Sequence, residues 1–109
     1  MIYQNMTPAE FDERSKRGDE LLLIDVREIE EHDLARIEGA QLLPLSRFNE
    51  WAATLDTAKE KEIVVMCHHG IRSAQVCSYP SRQGFMKLYN LAGGIDRWSC
   101  EIDRRVPRY

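Results

Sequence analysis

Two short apolar runs constrain this chain more than anything else in it. Leu21-Leu22-Leu23-Ile24-Asp25-Val26 is continuous and carries a single charge near its end, and Ile63-Val64-Val65-Met66 runs unbroken into Cys67. A strand with one wet face alternates apolar and polar residues. An unbroken run belongs to a strand covered on both faces, and such strands pair in parallel. Parallel strands need long crossovers, and the intervening segments read as helices. Thr7-Pro8-Ala9-Glu10 has the capping residue, the proline and the glutamate of a helix start, and Gly18 is a stop. Arg27 to Asp33 is acidic and helical in composition, and Phe48, Trp51, Ala52 and Leu55 recur at helical spacing. A helix over Ser73 to Gly84 follows Cys67. Short strands are expected around Tyr3, over Gly39 to Pro44 and over Leu88 to Leu91, and Gly93-Gly94 turns into a last helix carrying Trp98. The resulting expectation is an α/β fold with a central, mostly parallel five-stranded sheet flanked by helices through right-handed crossovers. Pro80 conflicts with this pattern. It predicts a kink or break near Tyr79-Pro80, with Gln83-Gly84 in a looser turn. The edge strand around Tyr3 could also pair between chains.

At 109 residues the chain is expected to form a single domain, 1–109. A net charge of −3 argues against nucleic acid as the main partner. Arg104, Arg105 and Arg108 read as a solvated tail. No apolar run is long enough for a membrane span, and the N-terminal residues do not read as a secretory signal. Three cysteines are an odd number, which suits free thiols and a cytoplasmic location.

The chemistry is concentrated in Cys67-His68-His69-Gly70-Ile71-Arg72-Ser73. A thiol at the carboxyl end of a parallel strand, just before a helix, sits where ligands bind in open sheets. A helix N-terminus favours negative charge by up to about 2 kcal/mol in a partly buried geometry, and the thiolate is the nucleophilic form. Gly70 is expected to supply the backbone angles that turn successive N–H groups inward, and Arg72 to place a positive charge at the rim. Cys67 is therefore the candidate nucleophile. His68, His69, Gly70, Ile71, Arg72 and Ser73 are the candidate substrate contacts. No metal and no cofactor are expected, because adjacent side chains such as His68 and His69 should point apart and cannot readily close on one ion. Asp25 and Arg27 read as a structural ion pair, and Trp98 and Gly93-Gly94 as packing and turn chemistry. Cys77 and Cys100 could form a disulfide with an oxidised or sulfurated Cys67, but burial or inert exposure is the simpler reading.

These motifs resemble the rhodanese family of sulfurtransferases, from about Met6 to Tyr109. Leu22-Leu23-Ile24-Asp25-Val26-Arg27-Glu28 with Glu31, then Ile37-Glu38-Gly39-Ala40 and Leu43-Pro44, are similar to its first two signatures. Cys67 to Ser73 is similar to its active-site loop, and Gly84-Phe85 with Asn90 to Ser99 to its closing signature. Arg36 stands where that family usually has histidine, and Pro80 where its helix usually continues with an apolar residue. The resemblance implies that Cys67 attacks the outer sulfur of a donor such as thiosulfate. It then passes that sulfur, as a persulfide, to a thiophilic acceptor, cyanide or a thiol. The loop N–H groups from His68 to Ser73 would hold the persulfide, and Arg72 would attract an anionic donor. Two other functions remain open. The domain could be a persulfide carrier or binding module serving a protein acceptor. It could also be an oxyanion enzyme, a phosphatase or arsenate reductase. Phosphatases of this shape place five residues between cysteine and arginine, against four here.

Overall fold

The computed structural model describes residues 3–81, 85 and 87–109, with the side chains of positions 56, 80 and 81 left out. Five strands, β1 (Gln4–Met6), β2 (Leu21–Asp25), β3 (Gln41–Leu42), β4 (Glu62–Met66) and β5 (Leu88–Leu91), form one sheet in the order β1-β5-β4-β2-β3. Every pairing is parallel. The apolar runs that predicted buried strands are β2 and β4, which lie side by side in the middle.

The alternation along β4 divides the core. Ile63, Val65 and Cys67 face one side with Trp51, Leu55, Val76 and Cys77. Val64 and Met66 face the other with Phe11, Ile95 and Trp98. The first side is covered by α4 (Ile71–Ser81) and by α3 (Phe48–Trp51) with its flanking 3-10 turns Leu45–Arg47 and Ala52–Ala58. The second is covered by α1 (Pro8–Lys16) and α5 (Gly94–Glu101), joined by an edge-to-face contact between Phe11 and Trp98 with ring centroids 5.8 Å apart. No helix among the described residues is long and apolar enough to cross a membrane.

Local signals in the sequence account for the helix ends. Thr7 caps α1 and Glu10 bonds back to it, and Gly18 with φ +93° follows the end of the helix. The short helix α2 spans Ile29–Leu34. Arg36 is exposed between Ala35 and Ile37, both 4% exposed, so local packing runs through its neighbours.

Two expectations need correction. α4 starts two residues earlier than predicted, at Ile71, because Gly70 serves as its first turn's carbonyl acceptor (Ala74 N to Gly70 O, 3.3 Å). The break expected at Tyr79-Pro80 is absent: α4 continues through Pro80 to Ser81. A proline lacks the N–H that would bond back to the carbonyl four residues earlier, so α4 forgoes that bond at Pro80 without ending there. Gln83-Gly84 lies outside the described residues. The strand near Tyr3 pairs on one side, Gln4 to Met6 running beside Tyr89 to Leu91, and on the other it forms the edge of the sheet.

The connections define where a ligand fits. From β2 the chain crosses to β3 on one side, and from β4 it crosses to β5 on the other. β2 and β4 are adjacent, so their carboxyl ends flank the switch point at which open α/β sheets bind ligands. Cys67 immediately follows β4 there.

Candidate active site

Cys67 is 1% exposed, and its Sγ faces the turn that starts α4. The Gly70 N–H donates to Sγ at 3.1 Å and the Ser73 N–H at 3.4 Å. Ser73 Oγ lies 3.3 Å from the sulfur. The thiol thus takes the place of a side-chain cap, using donors that a helix start leaves unsatisfied. Gly70 has φ +97°, the left-handed conformation the sequence predicted for it. Among the described residues, the amides of His68, His69, Ile71 and Arg72 make no hydrogen bond to the sulfur. Two amides reach it, where a fuller ring was expected.

Asn90 fixes this arrangement from the neighbouring strand. It is 5% exposed; its Oδ1 accepts from Ser73 Oγ at 2.5 Å and its Nδ2 donates to Gly70 O at 3.1 Å. One side chain therefore orients both the hydroxyl and the glycine that touch Cys67. The signal was visible as a lone amide in an apolar strand, Leu88-Tyr89-Asn90-Leu91.

Gly93-Gly94 holds the loop from the other side and does more than turn the chain. The N–H groups of Ile95 and Asp96 donate to the carbonyls of Cys67 and His68 at 2.9 and 3.1 Å. A Cβ on Gly94 would sit 2.4 Å from Cys67 O, and φ there is +59°. Only glycine lets α5 approach the loop this closely.

Arg72 does not stand free at the rim as expected. Its guanidinium is clamped in a two-pronged ion pair with Glu31 of α2, at 2.8 and 2.9 Å. Glu31 also accepts from the Glu28 N–H at 3.1 Å and from the Tyr109 hydroxyl at 3.0 Å. The Arg72 hydrogen bonds hold the Glu31 carboxyl down at about 2, against an ordinary 4.5, and the same bonds push Arg72 upward. Because the folded carboxyl is depressed, its stabilising effect is complete above pH 4.5 and is lost as pH falls through about 2. The melting-temperature gap between wild type and Glu31→Gln should therefore narrow steadily below pH 4.5. A gap that stays constant down to pH 2 contradicts this.

His68 and His69 also differ from expectation. Their rings stack at 3.8 Å, and Tyr109 stacks on the other face of His68 at 3.9 Å and 10°. Burial, followed by the charge of His69, lowers the His68 pKa and favours the neutral ring. With Asp96 the two histidines bring three ligand atoms within 4.8 Å of one another. Divergence was thus the wrong reason to discount a cation there. Asp96 is engaged by Arg108 at 2.9 and 3.3 Å, which a cation would have to displace. Ile71 is 71% exposed at the first position of α4.

Asp25 and Arg27, at the end of β2, are the buried pair the sequence predicted, each 0% exposed. Asp25 accepts from Arg27 Nε and Nη2 at 2.9 and 2.7 Å. Arg27 then donates to the carbonyls of Glu31 and Ala35 at 3.2 and 2.6 Å and to the Tyr109 hydroxyl at 2.9 Å. The pair thereby anchors α2, which carries Glu31 to the mouth. Glu31 and Tyr109 were not predicted as parts of one cluster. They lie 41 residues before and 37 residues after Arg72, and no local pattern joins them.

A profile of the rhodanese-like domain matches residues 7–101. The chain belongs to the rhodanese-like family. The rhodanese-like/PpiC domain-containing protein 12 of Arabidopsis thaliana is 42% identical over 84% of this chain, which spans 31% of that relative's length. The thiosulfate sulfurtransferase GlpE of Coxiella burnetii is 33% identical, over 92% of this chain and 91% of the relative. Among solved structures, a rhodanese-related protein from Thermoplasma volcanium superposes with a TM-score of 0.79 at 29% identity, covering 92% of this chain and 94% of that one. The match thus extends over nearly the whole domain, in sequence and in architecture.

Among the three free cysteines, Cys77 is buried on the inner face of α4 and Cys100 is exposed. Burial pushes the Cys77 thiol up to about 12. In folded protein near neutral pH, peptide mapping after iodoacetamide treatment should find Cys100 modified and Cys77 untouched. Equal labelling of both would show that Cys77 is reactive.

Proposed function

We propose that this protein is a sulfurtransferase in which Cys67 carries the transferred sulfur. In the first half-reaction the Cys67 thiolate attacks the outer sulfur of a sulfane-sulfur donor, thiosulfate in an assay. A new S–S bond forms, the donor's S–S bond breaks, and its electron pair leaves on sulfite. In the second, cyanide or a thiolate attacks the outer sulfur of the Cys67 persulfide and the Cys67 thiolate returns. No external oxidant or reductant enters either step. His68, His69, Gly70, Ile71, Arg72 and Ser73 frame the binding loop, with the Gly70 and Ser73 amides nearest the sulfur.

The observation that carries this reading is the pair of N–H donors on Cys67 Sγ at the start of α4. Preorganised donors and the helix N-terminus favour negative charge on the sulfur, by up to about 2 kcal/mol for the helix alone. The GlpE relative supports the activity class. The four-residue spacing from Cys67 to Arg72 supports a sulfur atom over a phosphate as the loop's ligand. The free cysteines fit a reducing compartment such as the cytoplasm. We take residues 1–109 as one domain.

Initial rates with donor and acceptor varied together test the scheme. A covalent intermediate requires parallel double-reciprocal lines. Converging lines would mean that donor and acceptor meet in one complex, and the persulfide route would be wrong.

A further inference from the structure

Resting on the sulfurtransferase reading, we propose that the site selects a low-charge organic persulfide, R–S–SH, as sulfur donor over dianionic thiosulfate. The basis is the charge pairing around the loop. Three arginines lie in the network at its mouth, and each is matched by a carboxylate. Arg72 is held by Glu31, Arg27 by Asp25 and Arg108 by Asp96. His68 is favoured in its neutral form by burial, and His69 Nε2 is 4.0 Å from Asp96. No cation in this network is left without a carboxylate among the described residues.

A dianion approaching such a mouth gains little from long-range attraction, because the paired charges cancel at a distance. It could use Arg72 closely only by displacing Glu31 from a two-pronged hydrogen-bonded pair, whose geometry is the strong form of that interaction. The rest of the rim suits an organic group. The Tyr109 and His68 rings stack at 3.9 Å, and Ile71, next in the chain after Gly70, is 71% exposed. An aliphatic or thiol-derived R group can cover that surface, whereas a sulfonate cannot use it.

The step balances without another reactant. Cys67–S⁻ attacks the outer sulfur of R–S–SH, the new S–S bond forms and the donor's own S–S bond breaks. R–S⁻ leaves, and Cys67–S–SH remains. The proton stays on the transferred sulfur.

The test compares kcat/KM for thiosulfate and for cysteine persulfide on the folded wild-type chain, with the acceptor fixed. Cysteine persulfide is expected to be the better donor by at least about tenfold. The thiosulfate value should change less than about twofold between low and physiological salt, because a mouth without net charge leaves little to screen. Glu31→Gln keeps the side chain's shape and releases Arg72. In that variant the thiosulfate-to-persulfide ratio should rise at least about tenfold. A wild type that prefers thiosulfate, with a rate falling steeply as salt is added, overturns the proposal without needing the variant. So does a Glu31→Gln ratio equal to that of wild type. If neither donor puts sulfur on Cys67, the sulfurtransferase reading fails and takes this inference with it.

Discussion

Cys67→Ser lowers sulfur transfer by about a thousandfold or more while leaving the fold in place. The serine oxygen can accept the same Gly70 and Ser73 amides, which are 3.1 and 3.4 Å from the sulfur it replaces. It also sits beside Ser73 Oγ, so no buried donor is orphaned. What disappears is the atom that bonds to sulfane sulfur. A hydroxyl at this position is neither ionised nor soft, and no general base is placed against it among the described residues. The measurement is the steady-state transfer rate, with the melting curve as control. Activity within tenfold of wild type, in a variant that melts normally, would mean that another group carries the sulfur.

The second large effect is on stability. Asp25→Ala should cost about 3–5 kcal/mol, because it leaves the Arg27 guanidinium buried without its counter-charge. Both side chains are 0% exposed, so water cannot take the lost partner's place without opening the sheet end. For a chain of this size that loss lowers the melting temperature by about 12 °C or more. The effect should also spread. Arg27 holds the Glu31 and Ala35 carbonyls, and α2 holds Arg72 through Glu31. A double replacement, Asp25→Leu with Arg27→Met, removes both charges together and should recover much of the loss. Equal destabilisation in the single and double variants would show that packing, not the pair, is what Asp25 supplies. The unfolding transition followed by circular dichroism decides between them.

Sequence and structure agree where a local pattern carries the information. The runs Leu21 to Val26 and Ile63 to Met66 form parallel strands covered on both faces because, Asp25 apart, they hold no polar side chain to turn toward water. Thr7 and Glu10 cap a helix because their spacing lets each reach the other's backbone. Gly70 occupies a left-handed position that a strand-loop-helix turn requires. The Asp25–Arg27 pair is legible because a charge at the end of an apolar run needs a near neighbour. Long-range electrostatics was not legible. Arg72 looks like a free cation until α2 brings Glu31 against it, and only the tertiary fold determines that contact. The stacking of Tyr109 on His68 is of the same kind. The 3-10 turns around α3 were hidden for another reason: Phe48, Trp51, Ala52 and Leu55 keep nearly the same buried face in either helix type. Pro80 misled because a proline inside a helix costs one backbone hydrogen bond but need not end it, and α4 runs on through Pro80 to Ser81.

Transfer depends on one sulfur, held by two amides at a helix start, accepting another. Intact-mass measurement after incubation with a sulfane-sulfur donor reads this directly. Wild type should gain the mass of one sulfur atom, the gain should map to Cys67, and cyanide or a thiol should remove it. Cys67→Ser should gain nothing. An unchanged mass in wild type, or the same gain in Cys67→Ser, would contradict the central claim.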